Sequence, residues 1–277
     1  MKQVFSCVLM LLAVCSLFAP AQGGSVTITS SDHDTTLFKS NTSNALGGGM
    51  GMFAGTDGGG ASGDHRALVS FNLVGQVPSR VTITSVSLEL TLATVAGSSG
   101  GSSSGDQTPR EIDLHLVKTA WGEGTAGTGG TINGSGGGSA SSAGDATWAS
   151  SASPTAWATA GGGGDYLSTV SSSETVGNPG NTTTQYFWNS TPNAATPNPT
   201  IVSDVQSWVN DPSTNHGWEL INTNETDAKT FRVFFTREAA DGLRPELTVT
   251  WVPEPGAMTM LLLGALGIAP FAWRRKR

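Results

Sequence analysis

The stretch Val81-Thr-Ile-Thr-Ser-Val-Ser-Leu-Glu-Leu-Thr-Leu92 decides the fold. Val81 and Ile83 share one parity, and Val86, Leu88, Leu90 and Leu92 share the other. Side chains alternate across a β-strand, so each half of the stretch buries one face and exposes the other. The phase slips at Thr84-Ser85, where a bulge or a bend keeps both halves turned to the same core.

Working outward, shorter runs repeat the signal. Ser25 to Thr29 and Arg66 to Leu73 precede the stretch, with a Gly-rich loop from Ala45 to Gly63 between them. Glu111 to Val117 alternates through Ile112, Leu114 and Leu116, and Gly217–Asn222, Phe231–Phe235 and Glu246–Trp251 close the series. Thr200 to Asn210 differs: Ile201, Val205, Trp208 and Val209 lie on one face of a short helix, which Asp211-Pro212 stops. The Gly/Ser-rich segments 95–105 and 127–180 bury no core and read as flexible excursions. Short strands, turn signals and one brief helix predict an antiparallel β-sandwich of jelly-roll type over residues 22–251.

Both ends carry addresses. Lys2, the apolar centre Val4–Phe18 and the small-x-small pair Ala19 and Ala21 make residues 1–21 a signal peptide, with the mature chain starting at Gln22. Cys7 and Cys15 both fall inside it, so the exported domain has no thiol and no disulfide. At the other end, Pro253-Glu254-Pro255 precedes an uncharged apolar run, 257–273, and then Arg274-Arg275-Lys276-Arg277. The run suffices for a short transmembrane helix, and its basic flank belongs on the cytoplasmic side.

Removing Lys2 and the four terminal cations leaves nine of fourteen basic side chains against 21 acidic ones, a net charge of −12. So acidic a surface repels nucleic acid and anionic lipid, and no basic patch with interleaved aromatics appears. Nucleic-acid binding is therefore not expected.

The C-terminal order of motif, apolar run and basic tail resembles the PEP-CTERM sorting signal over residues 252–277. The resemblance implies an exosortase, a membrane protease-transpeptidase, as partner. It also implies transient membrane attachment through 257–273 and delivery to the cell surface or matrix. A second resemblance rests on an ordered set. It comprises Arg66-Ala-Leu-Val-Ser-Phe71, the 81–92 strand, Trp121-Gly-Glu-Gly124, Asp204-Val-Gln-Ser-Trp208, Asn215-His-Gly-Trp218, Thr236-Arg-Glu238 and Arg244-Pro-Glu-Leu-Thr-Val249. Together these resemble a DNRLRE domain, a sandwich module of exported proteins. Relatives of that module bind carbohydrate, including acidic polysaccharide.

Chemistry is sparse. Two G-x-S-x-G matches within 97–105 lack the strand-to-helix turn of a nucleophile elbow. Gly122-x-Gly124-x-x-Gly127 lacks the helix that a dinucleotide site needs. No carboxylate pair stands out as general acid and base, so the chain reads as non-catalytic. No cofactor is expected, although Asp32-His33-Asp34 and Asp64-His65 have ligand types that suit a structural calcium or other metal. His115, of opposite parity to its apolar neighbours, is expected to face solvent. For carbohydrate, the candidates are Trp148, Trp157 and Trp188, as exposed rings or as staples for the insertion, and Arg66 and Arg237, as forks for uronates or as internal clamps. Extracellular polysaccharide is the expected partner; a purely structural, glycosylated matrix component is the alternative, and a polysaccharide lyase or hydrolase is the third and least favoured reading.

Overall fold

A computed structural model describes residues 23–254 apart from 96, 98–104, 131, 133–136, 179, 181 and 182. The signal peptide with Ala19 and Ala21, Pro255, the apolar run 257–273 and the basic tail lie outside the described residues. No described helix is long and apolar enough to cross a membrane.

Eleven strands form one antiparallel sheet. In chain order they are β1 (Gly24–Ile28), β2 (His33–Phe38), β3 (Gly51–Thr56), β4 (Asp64–Ser70), β5 (Val81–Val95) and β6 (Arg110–Val117). Then follow β7 (Tyr166–Val176), β8 (Thr184–Asn189), β9 (Trp218–Asn222), β10 (Arg232–Phe235) and β11 (Glu246–Pro253). One helix, α1 (Ile201–Asn210), precedes β9. The sheet runs β1-β11-β5-β10-β3-β4-β9-β6-β7, with β8 on the other edge of β5 and β2 on that of β4. It curls at β3, whose Gly51–Ala54 pair with β10 while Gly55 and Thr56 pair with β4.

The long strand behaves as its pattern dictates. Thr250 pairs with Ser85 and Trp251 with Ile83, so Thr84 is the extra residue of a bulge. Val81, Ile83, Val86, Leu88, Leu90 and Leu92 are all buried as a result. They share one cluster with Leu247 and Val249 of β11, Val69 of β4, Ile112 and Leu114 of β6, and Trp218 and Leu220 of β9. The core is thus enclosed by the curl.

Helix α1 buries Ile201, Val205 and Trp208 and ends at Asn210, before Pro212. Gln206 fastens it to the start of β5. Its Oε1 accepts from the Ile83 amide at 2.8 Å, and its Nε2 donates to the Val81 carbonyl at 3.1 Å.

The structure corrects several expectations. The Gly-rich segment 45–63 is not all loop, for it contains β3, whose residues are all buried. Strand β2 is likewise buried over Asp34–Phe38. Each lies under packed residues on both faces, and two-sided burial erases the polar–apolar alternation that betrays a strand. The segment 127–180 contains the whole of β7, which pairs along β6. His115 is buried rather than solvent-facing: β7 lies over it, and its Nδ1–H donates to the Leu167 carbonyl at 2.9 Å.

Candidate functional site

At one end of the sheet, chain segments that leave β4, β6 and α1 surround a cleft of about 670 Å³. Phe71–Ser79 forms one wall, Trp121 and His33 another, and Trp208, Pro212, Asn215 and His216 the rest. Asn215 Nδ2 donates to the Phe71 carbonyl at 2.8 Å and ties two of these walls together. Trp121 has a fixed orientation. Its indole N–H donates to the His216 carbonyl at 2.8 Å, and the His33 ring meets it edge-on with centroids 6.0 Å apart. His33 Nδ1 lies 3.1 Å from Asp32 Oδ2, both side chains being about half exposed. Partial burial lowers the basicity of His216.

The Trp121-Gly-Glu-Gly124 turn positions the indole. Gly122 accepts the Ala146 amide and donates to Ser151, and a Cβ on Gly124 (φ +72°) would lie 1.7 Å from Asp145 Oδ1. Only glycine fits at position 124. Glu123 points inward, where Oε1 accepts from the Asp34 amide at 2.9 Å and pairs with Arg237 Nε at 3.1 Å. Burial pushes the Glu123 carboxyl up to about 8. Burial likewise pushes Asp34 up to about 7, against the Ser31 hydroxyl and the Arg237 amide that bond to it.

The tryptophans weighed as sugar platforms or as staples are interior. Trp148 and Trp157 pack with Leu37, Leu68, Val117 and Ala146, and their N–H groups donate to Gly161 and Thr147 carbonyls. Trp188 is fully buried, and its N–H reaches the Ile112 carbonyl at 2.7 Å. All three are staples, and none offers an exposed face. The rings on the insertion and on β8 are large apolar groups with one donor, and each has found an interior carbonyl.

The two guanidiniums serve separate clusters. Arg66 makes a bidentate pair with Glu225, at 2.7 and 2.8 Å, and donates to the Gly163 carbonyl. Its guanidinium carbon also lies 5.1 Å from the Trp148 ring centroid and 5.5 Å from that of Tyr166. Its fork is therefore occupied. Beneath it, Glu219 is wholly buried 3.5 Å from Arg66 Nη1, and burial raises its carboxyl to about 8. Arg237 is more exposed and spans Glu123, Glu238 and the Asp32 carbonyl, beside the cleft.

The metal-ligand candidates do not converge. Asp34 turns inward while Asp32 and His33 stay at the surface. His65 is buried among Phe38, Phe53 and Phe231, with its basicity pushed down to about 4 by burial, and Asp64 pairs with Lys39 at 2.5 Å. Among the described residues, no group of three or more His, Cys, Asp or Glu side chains is placed to hold a metal ion.

Sequence reasoning passed over the cleft itself. Trp121, Asn215 and His216 belong to motifs visible in the chain, but no spacing reveals that the 71–79 segment folds back against them. The cleft offers two imidazoles, the three side-chain amides of Asn72, Gln76 and Asn215, and the Asp32 carboxylate, set among apolar side chains that include Leu73, Val77, Trp121 and Trp208.

No curated protein matches the chain at significant similarity. Residues 252–277 match the PEP-CTERM protein-sorting motif. The match starts within β11, so the sorting signal begins before the folded domain ends. The chain is an exported protein sorted by exosortase through a membrane-anchored precursor.

Proposed function

We propose that this exosortase-sorted protein is a non-catalytic component of the cell surface or extracellular matrix whose cleft binds polysaccharide. The observation that carries the proposal is Trp121. Its indole is held in a lined cleft of carbohydrate-compatible size, beside His33, Asn215 and His216. The non-catalytic reading is supported by the carboxylates. Asp32 is the one acid among the cleft's lining residues, whereas glycoside hydrolysis uses a pair flanking the bond. We further propose that the curled sheet is a jelly-roll sandwich of the DNRLRE kind. Arg66, Trp208 and Trp218, which carry that resemblance, occupy clamp and core positions.

The test is calorimetric titration of the processed domain with neutral and uronate-containing glycans. Saturable binding weakened at least about tenfold by Trp121→Ala supports the cleft, that loss being about 1.4 kcal/mol. Absence of binding to every glycan, or binding indifferent to Trp121, overturns it. A structural, glycosylated matrix role would then lead. The burial of Trp148, Trp157 and Trp188 and the closed Arg66 pair already favour that second reading.

A further inference from the structure

The two ends of the described chain leave the fold side by side. Gly24 opens β1 as the ladder partner of Trp251, and Pro253 ends β11 as the partner of Val81. Glu254, Pro255 and Gly256 are all that separate this pairing from the apolar run at Ala257. Four steps of fully extended chain, from Pro253 to Ala257, reach about 14 Å. While the sorting segment holds the precursor in the membrane, the Val81–Pro253 pole therefore stays within that reach of the bilayer.

The same pole carries exposed apolar side chains. Val252 is 43% exposed on β11. Val74, in the segment that links the end of β4 to the start of β5, is 66% exposed, the most of any large apolar side chain among the described residues. That segment reaches Ser79, two residues before Val81, and is one wall of the cleft. Large apolar side chains in water at the end nearest a membrane match the interfacial layer, where apolar groups are partly desolvated.

We propose that this pole is the precursor's membrane-apposed face, with Val74 and Val252 seated in the head-group layer of the bilayer until the sorting signal is cut. The short tether fixes the orientation, and processing releases the face together with the adjoining cleft wall.

The described domain contains no cysteine, so single labels are clean once Cys7 and Cys15 of the full chain are replaced by Ser. Val74→Cys reports on the pole. Gly58→Cys is the control, lying in the exposed turn between β3 and the start of β4, where an added Cβ meets nothing within 4 Å. Each variant, reconstituted in phosphatidylcholine vesicles, carries an environment-sensitive dye and is challenged with lipids bearing a head-group-depth quencher. The expected result is several-fold stronger quenching at position 74 than at 58, abolished in a chain ending at Glu254. Equal quenching at both positions, or none at 74, overturns the proposal. Protection at 74 that appears only with co-reconstituted exosortase also overturns it, in favour of the protease as the occupant.

Discussion

Trp188 on β8 reaches through the core to donate its indole N–H to the carbonyl of Ile112 on β6, at 2.7 Å, joining the two sides of the curled sheet. Its ring also meets Phe234 nearly edge-on, at a centroid distance of 5.6 Å. Trp188→Phe keeps an aromatic ring but deletes the donor, and is expected to cost about 1–3 kcal/mol. Trp188→Ala also leaves a cavity and is expected to cost about 3–5 kcal/mol. Urea unfolding followed by circular dichroism measures both, and a Trp188→Phe variant as stable as the parent would show that the hydrogen bond contributes nothing.

The buried carboxyls make stability depend on pH. Asp34, Glu123 and Glu219 have folded values of about 7, 8 and 8, raised above their ordinary range by burial. Between the unfolded and folded values the native state holds protons that the unfolded chain has released, so stability falls as pH rises. His65, lowered to about 4 by burial, acts oppositely between about 4 and 6.5, where only the unfolded chain takes up its proton. Above about 6.5 the carboxyls act alone. The melting temperature is therefore expected to decline from pH 6.5 to 8, and Glu219→Gln, which cannot ionise, is expected to flatten that decline. A melting temperature that rises across this interval would refute the assignment.

Gly124 separates crowding from backbone conformation. It has φ +72°, and an added Cβ would strike Asp145 Oδ1, whereas Gly75 has φ +78° with open space around it. Gly75→Ala is expected to cost about 1–2 kcal/mol, for the left-handed backbone alone. Gly124→Ala adds a steric clash within the Trp121 turn and is expected to cost about 3 kcal/mol or more. Thermal melts of the two variants decide the matter, and similar losses would sink the claim that Asp145 packs against that turn.

Thr84 is expected to be dispensable. Its deletion places Val81, Ile83 and Val86 on one regular parity and lets Trp251 and Thr250 pair without interruption. The expected loss is about 1 kcal/mol or less, since the core face is unchanged. Deleting Ser87 instead turns either Val86 or Leu88 outward and is expected to prevent folding. Paired expression and melting of the two deletions test this, and equal tolerance would show that register does not hold the core.

What was legible in the sequence follows from how many faces an element buries. β5 has one buried face, so its alternation and even the phase slip at Thr84-Ser85 could be read directly, although only the pairing shows that the slip is a bulge. Helix α1 was equally plain, because Ile201, Val205 and Trp208 line one side. β2 and β3 were hidden because neighbours cover both faces, leaving no period to detect. His115 misled for a related reason: its parity was outward, but β7 supplied a cover that no local pattern announces. At the candidate site, residue types were visible and their company was not. Trp148, Trp157 and Trp188 sit in or just after a polar insertion, which left exposed ring and staple both open, and the interior carbonyls that their N–H groups meet decide for the staple.

The position of β11 has a consequence for the timing of folding. Among the described residues, β1 pairs with β11 and with no other strand, and β11 separates it from β5. The first strand to emerge from the ribosome therefore waits for residues 246–253, a separation of more than two hundred residues, before it finds its partner. Contacts so distant in sequence form slowly, because a long loop must close before any pairing rewards it. The outer edge of the sheet therefore closes last, because β1 has no ladder to join until the final strand is in place.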